Sequence, residues 1–219
     1  RQVLDREERR RAHQPWPSLT RSAEICRRSL RKIVGVRLAT SPRGFQRTSL
    51  DDIADKAGVS RRTFFAHFPS KDHLLAAVVD FSRPTYLDRY RTWADTAGAD
   101  APIDARIAAI FAGITGAAHN PNWKGCCFIR MAAELGSLRG HPVHGMVAAA
   151  NLNMEHWFEH ELERASYDEP AAIARQLVVL INGLLMMQLV TRSTAYGQDI
   201  GGLVRGHRRC RRGHAHAVA

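Results

Sequence analysis

An all-α fold is predicted, and three observations carry that prediction. Apolar residues recur at three- and four-residue spacing along most of the chain. Alternating β-branched runs bounded by turn residues are nearly absent. Ser, Asp, Pro and Gly stand where helices start and stop.

Taken in order, residues 1–21 are Arg-rich, with Pro15 and Pro17 near the end, and read as a basic disordered arm. Ile25, Leu30, Ile33, Val34 and Leu38 place a helix over Ser22–Leu38, weakened by Gly35 and stopped by Pro42 and Gly44. Thr48 or Ser49 caps the next helix, whose first turn holds Asp51 and Asp52, where the helix dipole favours carboxylates. Leu50, Ile53, Ala54 and Ala57 form its apolar face, and Gly58 ends it. Ser60 caps a second short helix closed by Pro69 after Phe68, and Ser70 caps a third. That third helix carries Leu74, Leu75, Val78, Val79 and Phe81, and is expected to continue, kinked at Pro84, towards Trp93. Four more helices follow: from Pro102 to His119, from Cys127 to Leu138, from Pro142 to Ala165, and from Pro170 to Arg192. Periodicity fades after Tyr196.

The 219 residues suit one or two compact units. A 45% apolar and 24% charged composition argues against a disordered chain, a collagen or a membrane bundle. Net charge is +11, and its placement is informative. Residues 1–47 carry 13 basic and 4 acidic side chains, and residues 204–219 carry 5 and none, so the excess sits at the two ends. Polyanion binding is therefore expected near the N-terminus, nucleic acid being the most economical target. Cys26, Cys126, Cys127 and Cys210 form no disulfide framework, which points to a reducing, cytoplasmic setting. No apolar run follows the early arginines, so no secretory signal is expected, and Leu177–Val190 is shorter than a bilayer requires.

The stretch Thr48–Phe68, TSLDDIADKAGVSRRTFFAHF, carries the functional signal. Helix, Gly-containing turn and helix form the arrangement that places a recognition helix in the DNA major groove, with the motif at about residues 49–68. On the second helix Arg61, Arg62 and His67 point outward while Phe64 and Phe68 pack inward. Arginine pairs in bidentate fashion with guanine O6 and N7; Ser60, Thr63 and the capped helix N-terminus suit phosphates.

RGFQRTSLDDIADKAGVSRRTFFAHFPSKDHLLAAV, Arg43 to Val78, resembles the N-terminal DNA-binding domain of the TetR family of bacterial transcriptional regulators. A weaker likeness, to the family's ligand-sensing and dimerisation domain, continues through GCCFIRMAAELGSLRGHPVHGMV and the helix after it. The resemblance implies a DNA-binding domain over 22–81 and a helical ligand-binding and dimerisation domain over 82–195, between the basic arm over 1–21 and a basic tail over 196–219 that composition marks out. It implies a cytoplasmic homodimer that represses from a palindromic operator and releases it when a small molecule binds, with no cofactor, metal or membrane and no enzymatic step. By position Thr48 would cap its helix against a phosphate, and Arg61 and Arg62 would face bases. Thr63 and His67 would touch the backbone, with Ser60 beside them, and Lys71 would pair with a phosphate. Phe65 stands where many members carry a tyrosine, so it offers only an apolar contact. IVGVRLATSP also departs from the family's first helix, and GHRRCRRGHAHAVA from its C-terminus.

Trp93, Phe111, Phe128, Met131, Met154, Trp157, Phe158 and Met186 are the candidates for lining an effector pocket, because helical bundles place ligands between Met and aromatic side chains. As plain core residues they would look the same. Leu177–Val190 is apolar nearly all round and reads as a dimer face shared with the 142–165 helix. His156 and His160 share a helix face, but HWFEH lacks the HExxH order and a third ligand. His207, Cys210, His214 and His216 lie among arginines that repel a cation, and Cys126–Cys127 reads as buried packing. Two rivals remain: a polyanion binder indifferent to sequence, and an all-helical metal enzyme lacking any complete ligand set.

Overall fold

This computed structural model describes residues 48–200, apart from 99, 122, 124, 139 and 140. The expected arm, the Ser22–Leu38 helix and residues 201–219 of the basic tail lie outside the described residues; residues 196–200, expected to be unstructured, are helical. Within them the chain is helical, in the order α1 (Leu50–Ala57), α2 (Arg61–His67), α3 (Lys71–Asp95), α4 (Ile103–Ala118), α5 (Cys127–Glu134), α6 (Pro142–Arg164) and α7 (Pro170–Thr191). Among the described residues there is no strand.

The local chemistry accounts for most boundaries. Ser49 caps α1: its Oγ accepts the Asp52 N–H at 3.0 Å, and the Asp52 carboxylate accepts the Ser49 N–H at 3.2 Å. Gly58 ends the helix in the left-handed region at φ 62°, a conformation that costs a residue with a Cβ. Helix α3 runs to Asp95 as one element, two residues beyond the expected end. Helix α5 stops at Glu134, where periodicity alone carries it to Leu138; residues 135–137 form a turn instead. Buried Leu135 still bonds Met131 O through its N–H at 3.0 Å, but the N–H of exposed Leu138 bonds Leu135 O, three residues back, so the apolar spacing outlasts the α-helix.

Two compact units divide the chain, and neither is contiguous in sequence. The first runs to Pro84 and takes in Cys127–Ala150, where the sequence suggests one boundary near residue 82. Its buried apolar residues include Ile53, Ala54, Phe64, Phe68, Leu74, Leu75, Val79, Phe128, Met131 and Val143. His141 is buried here too. Its Nδ1 accepts the Val143 N–H at 3.2 Å, so a neutral ring carries its proton on Nε2. That nitrogen stands 3.2 Å from Asp72 Oδ1, within ion-pair range though not aligned as a hydrogen bond.

The second unit comprises Thr85–Cys126 and the chain from Asn151 onward. Phe111, Ile114, Met154, Phe158, Leu162 and Ile181 are fully buried in it. Arg106, half-buried on α4, reaches Asp95 Oδ1 at 3.1 Å and also bonds the half-buried Glu161 of α6, tying three helices together. Tyr86 packs edge-on against Tyr90, and Tyr90 against Trp93. Burial, with Cys126 and Tyr90 beside it, pushes the Tyr86 phenol far above its ordinary range, so it stays protonated. Gln188 on α7 is fully buried, and neither end of its amide has a hydrogen-bond partner.

Helix α4 contains two glycines with opposite surroundings. A Cβ on Gly113 would lie 2.3 Å from the Trp93 ring, whereas one on Gly116 would meet nothing within 4 Å. Gly113→Ala should therefore destabilise by about 1–3 kcal/mol through overpacking. Gly116→Ala should stabilise by roughly 0.5–1 kcal/mol by removing chain entropy from the unfolded state. Urea denaturation of the two variants checks the sign of each. Gln188→Met, similar in shape but without the orphaned amide, should raise Tm by roughly 2–4 °C per kcal/mol recovered, read by thermal melting.

Candidate nucleic-acid interface

Helix α2 has only seven residues, too few to be stable alone, so its position is set by what its two faces do. Phe64 and Phe68 are almost fully buried, with ring centroids 5.3 Å apart. On the other side Arg61, Arg62 and Phe65 are exposed, while Thr63 and His67 are half-buried. The inward and outward assignments made from sequence thus match the structure, with His67 leaning towards the Phe68 ring at 6.3 Å.

Ser60 caps α2. Its Oγ accepts the Thr63 N–H at 3.3 Å and lies 2.8 Å from the Thr63 hydroxyl, leaving the first turn's other N–H groups directed outward. Ser70 caps α3 in the same way, accepting the His73 N–H at 3.3 Å, and puts Lys71 at that helix's first position. Thr48 is placed differently from expectation. It is buried, and the cap of α1 is its neighbour Ser49, because only Ser49 has Asp52 three residues ahead to complete the reciprocal pair. Eight residues singled out in the sequence (Thr48, Ser60, Arg61, Arg62, Thr63, Phe65, His67 and Lys71) therefore all fall in the first unit, seven of them wholly or partly exposed. Sequence reasoning missed a ninth, Asp51, whose Oδ2 lies 2.6 Å from Arg61 Nη2. Ten residues separate the pair, beyond any helical spacing rule, so no local signal announces it.

Residues 40–78 match the family model described as bacterial regulatory proteins, tetR family. That stretch of the chain is similar to the DNA-binding part of TetR-family regulators. The curated HTH-type transcriptional regulator YjdC of Escherichia coli is 25% identical over 161 residues, covering 69% of this chain and 78% of that protein. Solved structures share the fold. A TetR-family transcriptional regulator from Streptomyces coelicolor superposes with a TM-score of 0.70 at 24% identity, over 84% of this chain and 94% of the other. A TetR transcriptional regulator from Legionella pneumophila gives 0.67 at 20% identity, over 82% and 95%. Reduced Escherichia coli NemR gives 0.69 at 17% identity, over 84% and 96%. These similarities support a DNA-binding transcriptional regulator with an N-terminal helix-turn-helix of the tetR type.

The residues proposed for an effector pocket are divided between the units. Phe128 and Met131 belong to the first, whereas Trp93, Phe111, Met154, Trp157, Phe158 and Met186 belong to the second. Within the second, Phe111, Met154 and Phe158 are buried; Trp93, Trp157 and Met186 are half-buried, with the Trp157 and Phe158 rings 4.8 Å apart. His156 and His160 stand on an exposed face of α6, and His160 Nδ1 is 3.9 Å from Glu161.

The two faces of α2 should separate cleanly under mutation. Phe64→Ala should cost about 3–5 kcal/mol of stability and DNA binding with it. Phe65→Ala should leave the melting curve within about 0.5 kcal/mol of wild type, because that ring is exposed. Chemical denaturation of both variants, read by circular dichroism, tests the contrast.

Proposed function

We propose that the protein is a homodimeric, ligand-responsive repressor that binds a palindromic operator through α2. The observation that carries this reading is the two-faced recognition helix: Phe64 and Phe68 anchor one side, and Arg61 and Arg62 are presented on the other. Arg61 and Arg62 read base edges. Ser60, Thr63, His67 and Lys71 set the register on phosphates, and the Ser49-capped start of α1 takes the phosphate contact expected of Thr48. Phe65 contributes apolar contact only. The protein acts where the genomic DNA is, in the cytoplasm, and its function needs no chemical step, cofactor or metal.

Dimerisation is supported by α7. Val179, Gly183, Met187 and Val190 recur at spacings of four, four and three, which places them on one face, and Val179 and Val190 are 69% and 71% exposed. At 22 residues the helix is long and apolar enough to cross a membrane, but its opposite face is built from buried Ala174, Leu177, Ile181, Leu184 and Leu185. A second copy of α7, with α6 beside it, is the partner proposed for the exposed stripe. The effector is proposed to bind in the second unit, among Trp93, Phe111, Met154, Trp157, Phe158 and Met186, and to favour a half-site separation that no longer matches successive major grooves.

Fluorescence anisotropy on the upstream region of the protein's own gene, with competitor DNA at about 0.15 M salt, tests the DNA reading. Saturable, competitor-resistant binding is expected, weakened at least tenfold by combined Arg61→Ala and Arg62→Ala, given about 1–3 kcal/mol per bidentate pair. Equal binding to a scrambled duplex, collapsing with salt, would instead establish a sequence-indifferent polyanion binder. Val179→Glu with Val190→Glu should shift the sedimenting species from dimer to monomer and weaken operator binding in parallel.

A further inference from the structure

Arg61 opens the recognition helix, and it is already engaged. Its Nη2 lies 2.6 Å from Oδ2 of Asp51, in the first turn of α1, with the two side chains 68% and 41% exposed. The two carboxylate oxygens differ. Oδ2 meets the guanidinium, while Oδ1 is sealed from solvent with no hydrogen-bond partner. The positive end of α1 favours the negative charge where it stands. Asp51 thus stands at the start of α1 with one oxygen turned to Arg61, the more exposed of the two side chains.

An exposed pair of this kind contributes little to folding stability. Its consequence is where it puts the guanidinium. That group has five N–H donors in a planar fork, and one contact to Oδ2 leaves donors free for guanine O6 and N7. Restricting the arginine beforehand reduces the ordering cost of docking it. Balancing its charge reduces what it gains from any nearby phosphate, which is the basis of non-specific binding. Both effects widen the gap between a correct site and random DNA.

We infer that Asp51 is a positioning residue that buttresses Arg61 for reading a G·C pair in each operator half-site, and so sets specificity without touching DNA. This rests on the proposed role of α2 as the recognition helix, and adds to it a residue from the supporting helix.

The test is selection of binding sites from a random duplex library by full-length wild type, Asp51→Asn and Arg61→Ala. Competition anisotropy then follows on the selected site, on that site with the G·C pair replaced, and on a scrambled duplex. Wild type should select a palindrome with a guanine in each half that Arg61→Ala no longer requires. Asp51→Asn should lose about 5- to 30-fold of the discrimination at that pair. Its affinity for the scrambled duplex should rise, with a log–log salt slope steeper by about 0.9 per protomer as Arg61 becomes available to phosphate. Specific and non-specific binding then change in opposite directions, which a merely structural role of Asp51 would not produce. Unchanged discrimination in Asp51→Asn overturns the inference while leaving the recognition helix standing, as does a parallel fall in both affinities. Failure of wild type to select any motif overturns the recognition-helix reading, and this inference with it. If Asp51→Asn fails to fold, Asp51→Glu, which keeps the charge, should retain the guanine preference and Asp51→Ala should lose it; loss of the preference in Asp51→Glu, or an unaltered preference in Asp51→Ala, overturns the inference.

Discussion

The recognition surface depends on the burial of Phe64 and Phe68. A seven-residue helix cannot hold itself together in water, because nucleation costs more than so few hydrogen bonds return. Two aromatic side chains buried on one face supply the missing stability, and they also set the rotation of the helix about its axis. Once that rotation is set, the outward direction of Arg61, Arg62 and Phe65 follows from the 100° step between successive residues. Ser60 and Phe68 then limit the helix at its two ends. The buried and exposed residues of this helix are thus separate sets, so the proposed DNA contacts can vary without dismantling the domain.

Electrostatics in the same unit follows a related division. Asp51 and Asp52 lie one after the other in the first turn of α1, where both gain from the helix dipole, yet they do different work. Asp52 closes the capping pair with Ser49; Asp51 turns to Arg61. A regulator with excess positive charge faces a general difficulty, since the charge that attracts DNA attracts all DNA. In the proposed reading, the Asp51 carboxylate beside Arg61 moderates that attraction where selectivity is needed. The net charge of +11 is otherwise concentrated away from this motif, which carries nearly balanced charges between residues 48 and 81.

In the second unit paired charges stand beside features left open. Arg106 with Asp95 and Glu161 joins three helices through paired charges. Gln188 remains buried with its amide unpaired, an arrangement that lowers stability relative to an apolar side chain of the same size. The outer face of α7 leaves the large apolar residues Val179, Met187 and Val190 uncovered at regular helical spacing, the stripe for which a second copy is proposed.

Helix starts and stops were legible in the chain because they depend on short-range chemistry. Ser49 with Asp52, Gly58, Ser60 and Pro102 each act within a few residues. The division of α2 into buried Phe64 and Phe68 and exposed arginines was legible for the same reason, and so was the family resemblance that rests on this stretch. Where the same patterns fell short, the cause was competition from packing. Apolar spacing alone cannot end α5 at Glu134, nor choose Ser49 over Thr48 when burial removes one of two plausible caps. The tertiary structure alone decided which distant residues meet: Asp51 with Arg61, His141 with Asp72, Gly113 under the Trp93 ring, and residues 127–150 with the N-terminal unit. Periodicity states which face of a helix is apolar. Only the packed chain states what that face meets, because those contacts join residues that no local spacing connects.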